Sequence, residues 1–463
     1  MRTALFAAGL PLAIVGSLLP LSALPQIIAG GGGHSMVICD NSAMQAWGNN
    51  GAGELGNGGS GSMDHPVPVL TLTGIIALAP GCGSHSLAVK NDGTLWAWGS
   101  NDAGQLGDGT IISSNVPVQV TSLTDVTAGG RGYYHSLAVK SDGTLWAWGS
   151  NSEGQLGDGT LTNSSVPVLI TTLSGIIAAE GSLEHSLALK NDGTVWAWGS
   201  NYYGELGNGT TVDSIAPGQV SSLTGAIAIA AGRFHSLALK NDGTVVAWGS
   251  NFAGQLGTGN MTDSNVPVPV VGLTGMVAVA AGENHSIALK DDGTVWTWGN
   301  NLSGQLGNGT NTPDPTPLPI ASLTGVIAIA GGQLHSLAVK SDGTAWGWGF
   351  NGTGALGNFT FTDTNIPVQV LSLCTVATGV EDLGNATSLS VFPNPTSGTF
   401  TIEVDHSEEV IDLAIRNAIG QEVHSSALTG VRTVVDLSAQ SSGVYFITLH
   451  STGQVISRMV IKQ

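Results

Sequence analysis

The sequence predicts an all-β chain: a seven-bladed β-propeller followed by a small Ig-like β-sandwich. Three observations carry this. One stretch is written seven times, its His falling at His34, His85, His135, His185, His235, His285 and His335, in one step of 51 and five of 50. Each copy holds short runs of strand periodicity joined by a turn of the Asp-Gly kind. After Thr378 the pattern stops, and 389–463 reads as a second set of short strands.

Within a copy the elements follow in a fixed order. The first strand is short and apolar, as in Ala226-Ile227-Ala228-Ile229-Ala230. The second is His235 to Lys240, whose alternation puts His, Leu and Leu on one face and Ser, Ala and Lys on the other. Asn-Asp-Gly or Ser-Asp-Gly then makes a hairpin, Gly supplying the positive φ. The first copy departs from this with Asp40-Asn41-Ser42. The third strand, Thr244 to Gly249 in this copy, elsewhere places two Trp at i and i+2, and all 12 Trp of the chain fall in that register. A Gly-rich loop follows, as in Gly254-Gln255-Leu256-Gly257, then a weaker fourth strand around Pro267-Val268-Pro269-Val270. Such a unit cannot bury both sheet faces alone, so neighbours must cover it, and a closed ring leaves no exposed end. A spare first-strand copy stands at each end of the array, Gln26 to Ala29 and Cys374 to Thr378. One of them is expected to complete a blade begun at the other end of the chain.

Composition narrows function by exclusion. Of 463 residues 68 are Gly, and 13 basic residues face 32 acidic ones for a net charge of −19. Lys90, Lys140, Lys190, Lys240, Lys290 and Lys340 stand one per hairpin, and only Arg131 and Arg233 lie outside that register in the array. No basic stripe can be built from these, so no nucleic-acid partner is expected. Cys39, Cys82 and Cys374 allow one disulfide and a free thiol, or three small core residues. No zinc spacing occurs, and neither a metal nor a cofactor is expected. Residues 1–23 read as a secretory signal peptide: Arg2, an uncharged run from Ala4 to Leu19, then Pro20-Leu21-Ser22-Ala23. No transmembrane segment is expected in the mature chain. The expected domains are the signal peptide 1–23, the propeller 24–378, a linker 379–388 and the C-terminal domain 389–463. Strands in the last are expected at 399–404, 411–416, 431–436, 444–449 and 456–461.

The repeated unit resembles the regulator of chromosome condensation repeat family in His-Ser-Leu-Ala-Leu/Val-Lys, the Asp-Gly-Thr turn, Trp-Ala-Trp-Gly and Asn-x-x-Gly-Gln-Leu-Gly. That resemblance implies a seven-bladed propeller but no single function. The family's founder is a nuclear exchange factor for a small GTPase; this acidic chain has no basic tail, and no small GTPase partner is expected. A plant ultraviolet receptor of the family uses Gly-Trp-Arg-His-Thr, and no Trp stands just before any His here. A secreted bacterial relative inhibits β-lactamases with one face of its ring, a model for the manner of binding. The C-terminal domain resembles a type IX secretion sorting domain of the Bacteroidota. The matching residues are Val391-Phe392-Pro393-Asn394-Pro395-Thr396-Ser397-Gly398, Gly420-Gln421-Glu422-Val423, Ser442-Gly443-Val444-Tyr445-Phe446 and the ending through Lys462. Pro393, Asn394, Pro395, Gly398, Gly420, Gly443, Tyr445 and Lys462 carry that motif. The resemblance implies the type IX machinery as a partner, and release or surface attachment as the destination.

The seven His stand at identical repeat positions, so symmetry spreads them around the ring, whereas metal ligands must converge. They are expected to bond a neighbouring loop or backbone group, and the Trp pairs to pack between blades. Nothing marks a nucleophile with its base, so no catalytic residue is assigned. What varies between copies is two doublets: the pair before each His and the pair inside Asn-x-x-Gly. A hairpin returns to its starting end, so both doublets should line one face of the ring. They hold Tyr133, Tyr134, Glu184, Tyr202, Tyr203, Arg233, Phe234 and Phe252, the expected ligand-binding residues. The function expected is a secreted or cell-surface propeller binding a protein or glycan there. The alternatives are an extracellular polysaccharide-acting enzyme, which needs acidic residues converging from one or two blades, and a structural surface protein.

Overall fold

The computed structural model describes residues 27–39, 42–79, 83–374, 376, 389–392, 398–404, 411–417, 422–428, 432–440, 443–451 and 454–462. The expected signal peptide, Cys82, Pro393, Asn394, Pro395 and Gly420 lie outside them. The chain divides into two compact units, one spanning 20–381 and one including 382–463.

The first unit is a ring of seven antiparallel four-stranded sheets, each in simple chain order, over 28–68, 75–119, 126–169, 176–219, 226–269, 276–319 and 326–369. In blade five the strands are Ala226–Ala231, His235–Lys240, Val245–Gly249 and Ser264–Pro269. The fourth strand therefore begins three residues earlier than its Pro-Val pattern indicated. Its Pro267 stands on the outer edge, where a missing N–H costs no ladder bond and discourages pairing with another chain. Between the second and third strands Gly243 takes φ +75°, and its N–H donates to Lys240 O at 2.9 Å.

Seven apolar clusters fill the gaps between blades, so the core is an annulus of inter-blade layers. Between blades four and five Leu187, Leu189, Leu206 and Val220 meet Ile229, Ala238 and Trp248. The Trp nearer the end of each third strand is fully buried. Trp248 Nε1 donates to Glu205 O of the preceding blade at 2.7 Å. The Gly of the Gln/Glu-Leu-Gly segment makes room for it: a Cβ on Gly207, at φ +60°, would lie 2.9 Å from Trp248 Nε1. The other Trp of each pair is only half-buried. Trp196 Nε1 bonds Thr194 Oγ1 at 3.3 Å, and Lys190 Nζ stands 5.8 Å from its ring centroid.

Ring closure differs from the expectation of an exchanged strand. Ile28–Gly30 pairs with the second strand of its own blade, Ile28 opposite Val37, and Ile38 N donates to Ile27 O at 2.9 Å. That leaves one residue of the second strand, Cys39, for the other terminus, and Val376 bridges it. A disulfide joins Cys39 to Cys374 across 335 residues, beside that bridge.

The second unit is a β-sandwich. One sheet holds Leu389–Phe392, Thr399–Val404 and Arg432–Asp436; the other holds Glu422–Leu428, Ile411–Asn417, Gly443–Ser451 and Gln454–Lys462. Phe400, Ile402 and Val435 of the first pack on Leu413, Ile415, Tyr445 and Ile447 of the second. Two strands were not expected, Leu389–Phe392 and Glu422–Leu428. The latter holds His424-Ser425-Ser426, weak strand formers that the ladder to Ile411–Asn417 overrides. Among the described residues there is no helix, and none long and apolar enough to cross a membrane.

Candidate functional site

The repeated His form a circle of hydrogen bonds rather than a site. Nε2 of each bonds the Ser Oγ of the next blade: His34 to Ser86 at 3.0 Å, His85 to Ser136 at 2.9 Å, His135 to Ser186 at 2.8 Å and His185 to Ser236 at 2.9 Å. His235 to Ser286 at 3.0 Å, His285 to Ser336 at 2.9 Å and His335 to Ser35 at 2.9 Å complete it. Each Ser hydroxyl gives its proton to a carbonyl of the blade before it, as Ser286 does to Gln255 O at 2.8 Å. The imidazole must then donate from Nε2, which fixes the neutral tautomer. Only blade four adds a partner on the other nitrogen, Ser182 Oγ donating to His185 Nδ1 at 2.6 Å. In most copies a Gly stands in that slot; a Cβ on Gly232 would lie 2.0 Å from His235 Cε1. Burial pushes these imidazoles well down, to about 3 at His135, His185, His235 and His285 and about 4 at His335. The expected loop or backbone partner is thus replaced by a serine of the next blade, because the strand registers of adjacent blades bring the two side chains level.

The variable doublets share one face. Ser200 N donates to Glu184 O at 2.9 Å and Ser250 N to Phe234 O at 2.8 Å, so the pair before the second strand meets the segment leaving the third. The Asn of Asn-x-x-Gly builds the loop. Asn201 Oδ1 accepts from Leu206 N at 2.9 Å, and its Nδ2 donates to Thr210 O at 3.1 Å and Val212 O at 3.0 Å. This turns the first residue of the doublet to solvent: Tyr202 is 75%, Leu302 71% and Phe252 58% exposed. The second is half-buried in most copies and fully buried at Ala253.

Four of the expected residues form one patch across blades four and five. Tyr202 and Tyr203 meet edge to face with centroids 4.8 Å apart, and Tyr203 lies 5.3 Å from Phe234. The Arg233 guanidinium stacks 4.8 Å over Phe234 and pairs with Glu283 of blade six. Glu184 is half-buried nearby, and burial first, then the charges of Glu153 and Asp213, raise its carboxyl, with Arg233 opposing. Tyr133 and Tyr134 on blade three form a separate pair, 6.2 Å apart, and Phe252 makes no ring contact with the patch among the described residues.

Sequence reasoning missed two things on this face. Ile111, Ile112, Leu161, Val212, Met261 and Phe361, in the loops between third and fourth strands, are each more than half exposed. Their signal was an aliphatic or aromatic residue inside a Gly-Asn-Thr loop with no periodicity to bury it. The other is Glu205, closed to solvent in a slot most copies fill with Gln. Its Oε2 accepts from Tyr203 N at 2.8 Å, and Oε1 has no partner. Burial pushes its carboxyl up to about 7, with Asp213 and Asp263 adding to the rise.

Arg131 serves the scaffold. Fully buried, it donates to Ala79 O at 3.0 Å, Gly83 O at 3.1 Å, His85 O at 2.9 Å and Gly30 O at 2.7 Å, tying blades one, two and three together. On the innermost strand of blade four, burial pushes Glu180 up to about 8 against the pull of Arg131. Among the described residues no three acidic, His or Cys side chains gather to hold a metal. Of the sorting residues, Tyr445 is core and Gly398 O accepts from Leu437 N at 2.8 Å, so both hold the sandwich together.

Residues 131–390 match the RCC1-like domain family, 92–139 the regulator of chromosome condensation (RCC1) repeat, and 390–463 the secretion system C-terminal sorting domain. The human E3 ubiquitin-protein ligase HERC2 is 34% identical over 100 residues, covering 21% of this chain and 2% of that protein. The mitochondrial RCC1 domain-containing protein RUG3 of Arabidopsis thaliana is 33% identical over 96 residues, covering 20% of this chain and 22% of its own length. The matches thus span less than a quarter of these curated relatives. Among solved structures, Prp20p of Saccharomyces cerevisiae, described with its binding properties to Gsp1p and histones, aligns at TM-score 0.62 and 26% identity over 74% of this chain and 87% of its own. Human WBSCR16 aligns at TM-score 0.64 and 24% identity over 71% and 93%, a likeness of fold alone.

Proposed function

The chain belongs to the RCC1-like domain family, and on that premise we propose that it is an exported, non-enzymatic binding propeller whose protein or glycan ligand sits on the loop face. The C-terminal sorting domain suggests secretion or a cell-surface location and the type IX machinery as a partner. The Cys39–Cys374 disulfide supports an oxidising compartment.

The observation that carries the binding reading is the Tyr202–Tyr203–Phe234 contact. It joins both variable doublets of adjacent blades into one aromatic surface, the composition of an interface anchor. The same face holds ten of the eleven large apolar side chains of the propeller that are at least half exposed among the described residues; the other, Ile366, lies on an outer strand. Protein and glycan arrays probed with the purified propeller test it. Tyr202→Ala/Tyr203→Ala should abolish the captured signal, and unchanged capture sinks the patch as the site.

One observation favours the enzymatic alternative: the charges of Glu153 on blade three and Asp213 on blade four act on the Glu184 carboxyl. Two carboxylates are what glycoside hydrolysis requires. Polysaccharide cleavage abolished by Glu184→Gln would establish that reading; no cleavage across a polysaccharide panel would remove it.

A further inference from the structure

The loop face is electrostatically one-sided. All six hairpin lysines stand at the opposite end of the blades, beside the Asp-Gly turns. The loop-face connections carry eleven acidic residues against one basic residue, Arg233, which already stacks on Phe234 and pairs with Glu283. Three of the acids, Glu184, Glu205 and Asp213, stand on blade four with Tyr202 and Tyr203. The charges of Glu153 and Asp213 act on the Glu184 carboxyl, opposed by Arg233. Glu205, which accepts from Tyr203 N at 2.8 Å, leaves its buried Oε1 without a donor, and the charges of Asp213 and Asp263 act on it. Like charges gathered without a counter-charge are unfavourable, and a cation from outside relieves them.

Resting on the loop-face binding reading, we propose that the ligand is a basic protein whose Lys or Arg side chains dock into the acid–aromatic cluster of Tyr202, Tyr203, Phe234, Glu153 and Glu184. The aromatic rings take the cation on their faces, as Phe234 already takes Arg233. The carboxylates neutralise it and steer its approach. The aliphatic residues on the surrounding loops, Ile112, Leu161 and Val212 among them, favour a protein over a glycan. They offer apolar area but no hydrogen-bonding groups for a sugar.

The probe is a labelled twelve-residue peptide alternating Lys and Leu, compared with Glu/Leu and Ser/Leu counterparts by fluorescence anisotropy on the full chain. The Lys peptide should bind, weaken as salt rises, and lose about tenfold in affinity with Glu153→Gln/Glu184→Gln. Tyr202→Ser, at an exposed site, should weaken it without moving the unfolding midpoint. The control removes two charges from the opposite face, Asp125→Gly/Asp291→Asn, each change borrowed from other copies of the repeat; affinity should stay within about twofold. Equal loss in the control means attraction by net charge alone and overturns the proposal. So does equal binding of the Glu/Leu peptide, or no binding of the Lys peptide. If a glycan is captured through Tyr202 and Tyr203 while the Lys peptide is ignored, this inference falls and the binding reading stands. If loop-face variants alter no captured ligand, the binding reading itself falls.

Discussion

Acidification should unfold this propeller through the circle of buried His. The five imidazoles with folded values of about 3 to 4 are neutral in the ring but free to charge near pH 6.5 once unfolded. A His whose folded value is depressed contributes stability that is fully present above the unfolded value and is lost as pH falls toward the folded one. Between pH 7 and pH 5 each such His removes about 1.9 kcal/mol, so five remove about 9 kcal/mol. Glu180 and Glu205, raised to about 8 and about 7, act in the opposite sense, since a raised carboxyl gains stability as it protonates; together they return about 5 kcal/mol. The net loss is about 4 kcal/mol; His34 and His85, depressed in the same direction, add to it, and Glu54 and Glu184, raised by burial, subtract from it. A loss of that size is comparable with the whole stability of many domains, about 5–15 kcal/mol. Urea unfolding followed by the fluorescence of the buried Trp, at pH 7.0 and pH 5.0 (about neutral and mildly acidic), measures it. Equal midpoints at the two values would refute the burial of neutral imidazoles as the device that holds the blades together.

Three further outcomes follow from the same geometry. Cys39→Ser should destabilise the ring by up to about 6 kcal/mol in the chain-entropy limit for so long a loop, and hydrogen exchange should quicken first where blade one meets blade seven; uniform exchange would contradict that. Trp248→Phe, which keeps an aromatic ring but removes the donor to Glu205 O, should cost at least about 1–2 kcal/mol, against about 3–5 kcal/mol for Trp248→Ala, read from urea midpoints; no loss in the Phe variant would deny the hydrogen bond a role. Deleting 389–463 should leave the propeller in the periplasm, and its appearance in the medium would count against the sorting role of that domain.

How much was legible divides by the range of the interaction. The Asp-Gly hairpins and the Trp register declare themselves within one copy, because turns and strand alternation are local, and the 50-residue spacing shows once copies are aligned. Partners between copies do not. The Ser that follows each His reads as one more small strand residue until the ring sets it against the imidazole of the blade before. Arg131 stands out as the wrong residue for a glycine-rich inner strand, yet its four carbonyl acceptors come from two other blades. The doublets were found because they refuse to repeat. Which of them touch depends on loop conformation: Tyr203 reaches Phe234 of the next blade, while Tyr133 and Tyr134 meet each other. At the chain ends, the spare first-strand copies promised an exchanged strand; pairing already satisfied by 27–30 reduced the exchange to Val376 against Cys39.

The repeated residues build the ring, and the binding role proposed here falls to the unrepeated ones on the loop face. That division is tested most directly by one array measurement on two variants beside the parent: Tyr202→Ser/Phe234→Ser on the loop face and Lys190→Ala on the turn face, with unfolding midpoints in parallel. The loop-face variant should lose the captured ligand while staying folded, and the turn-face variant should keep it. Capture retained by the first, or lost equally by the second, would contradict it.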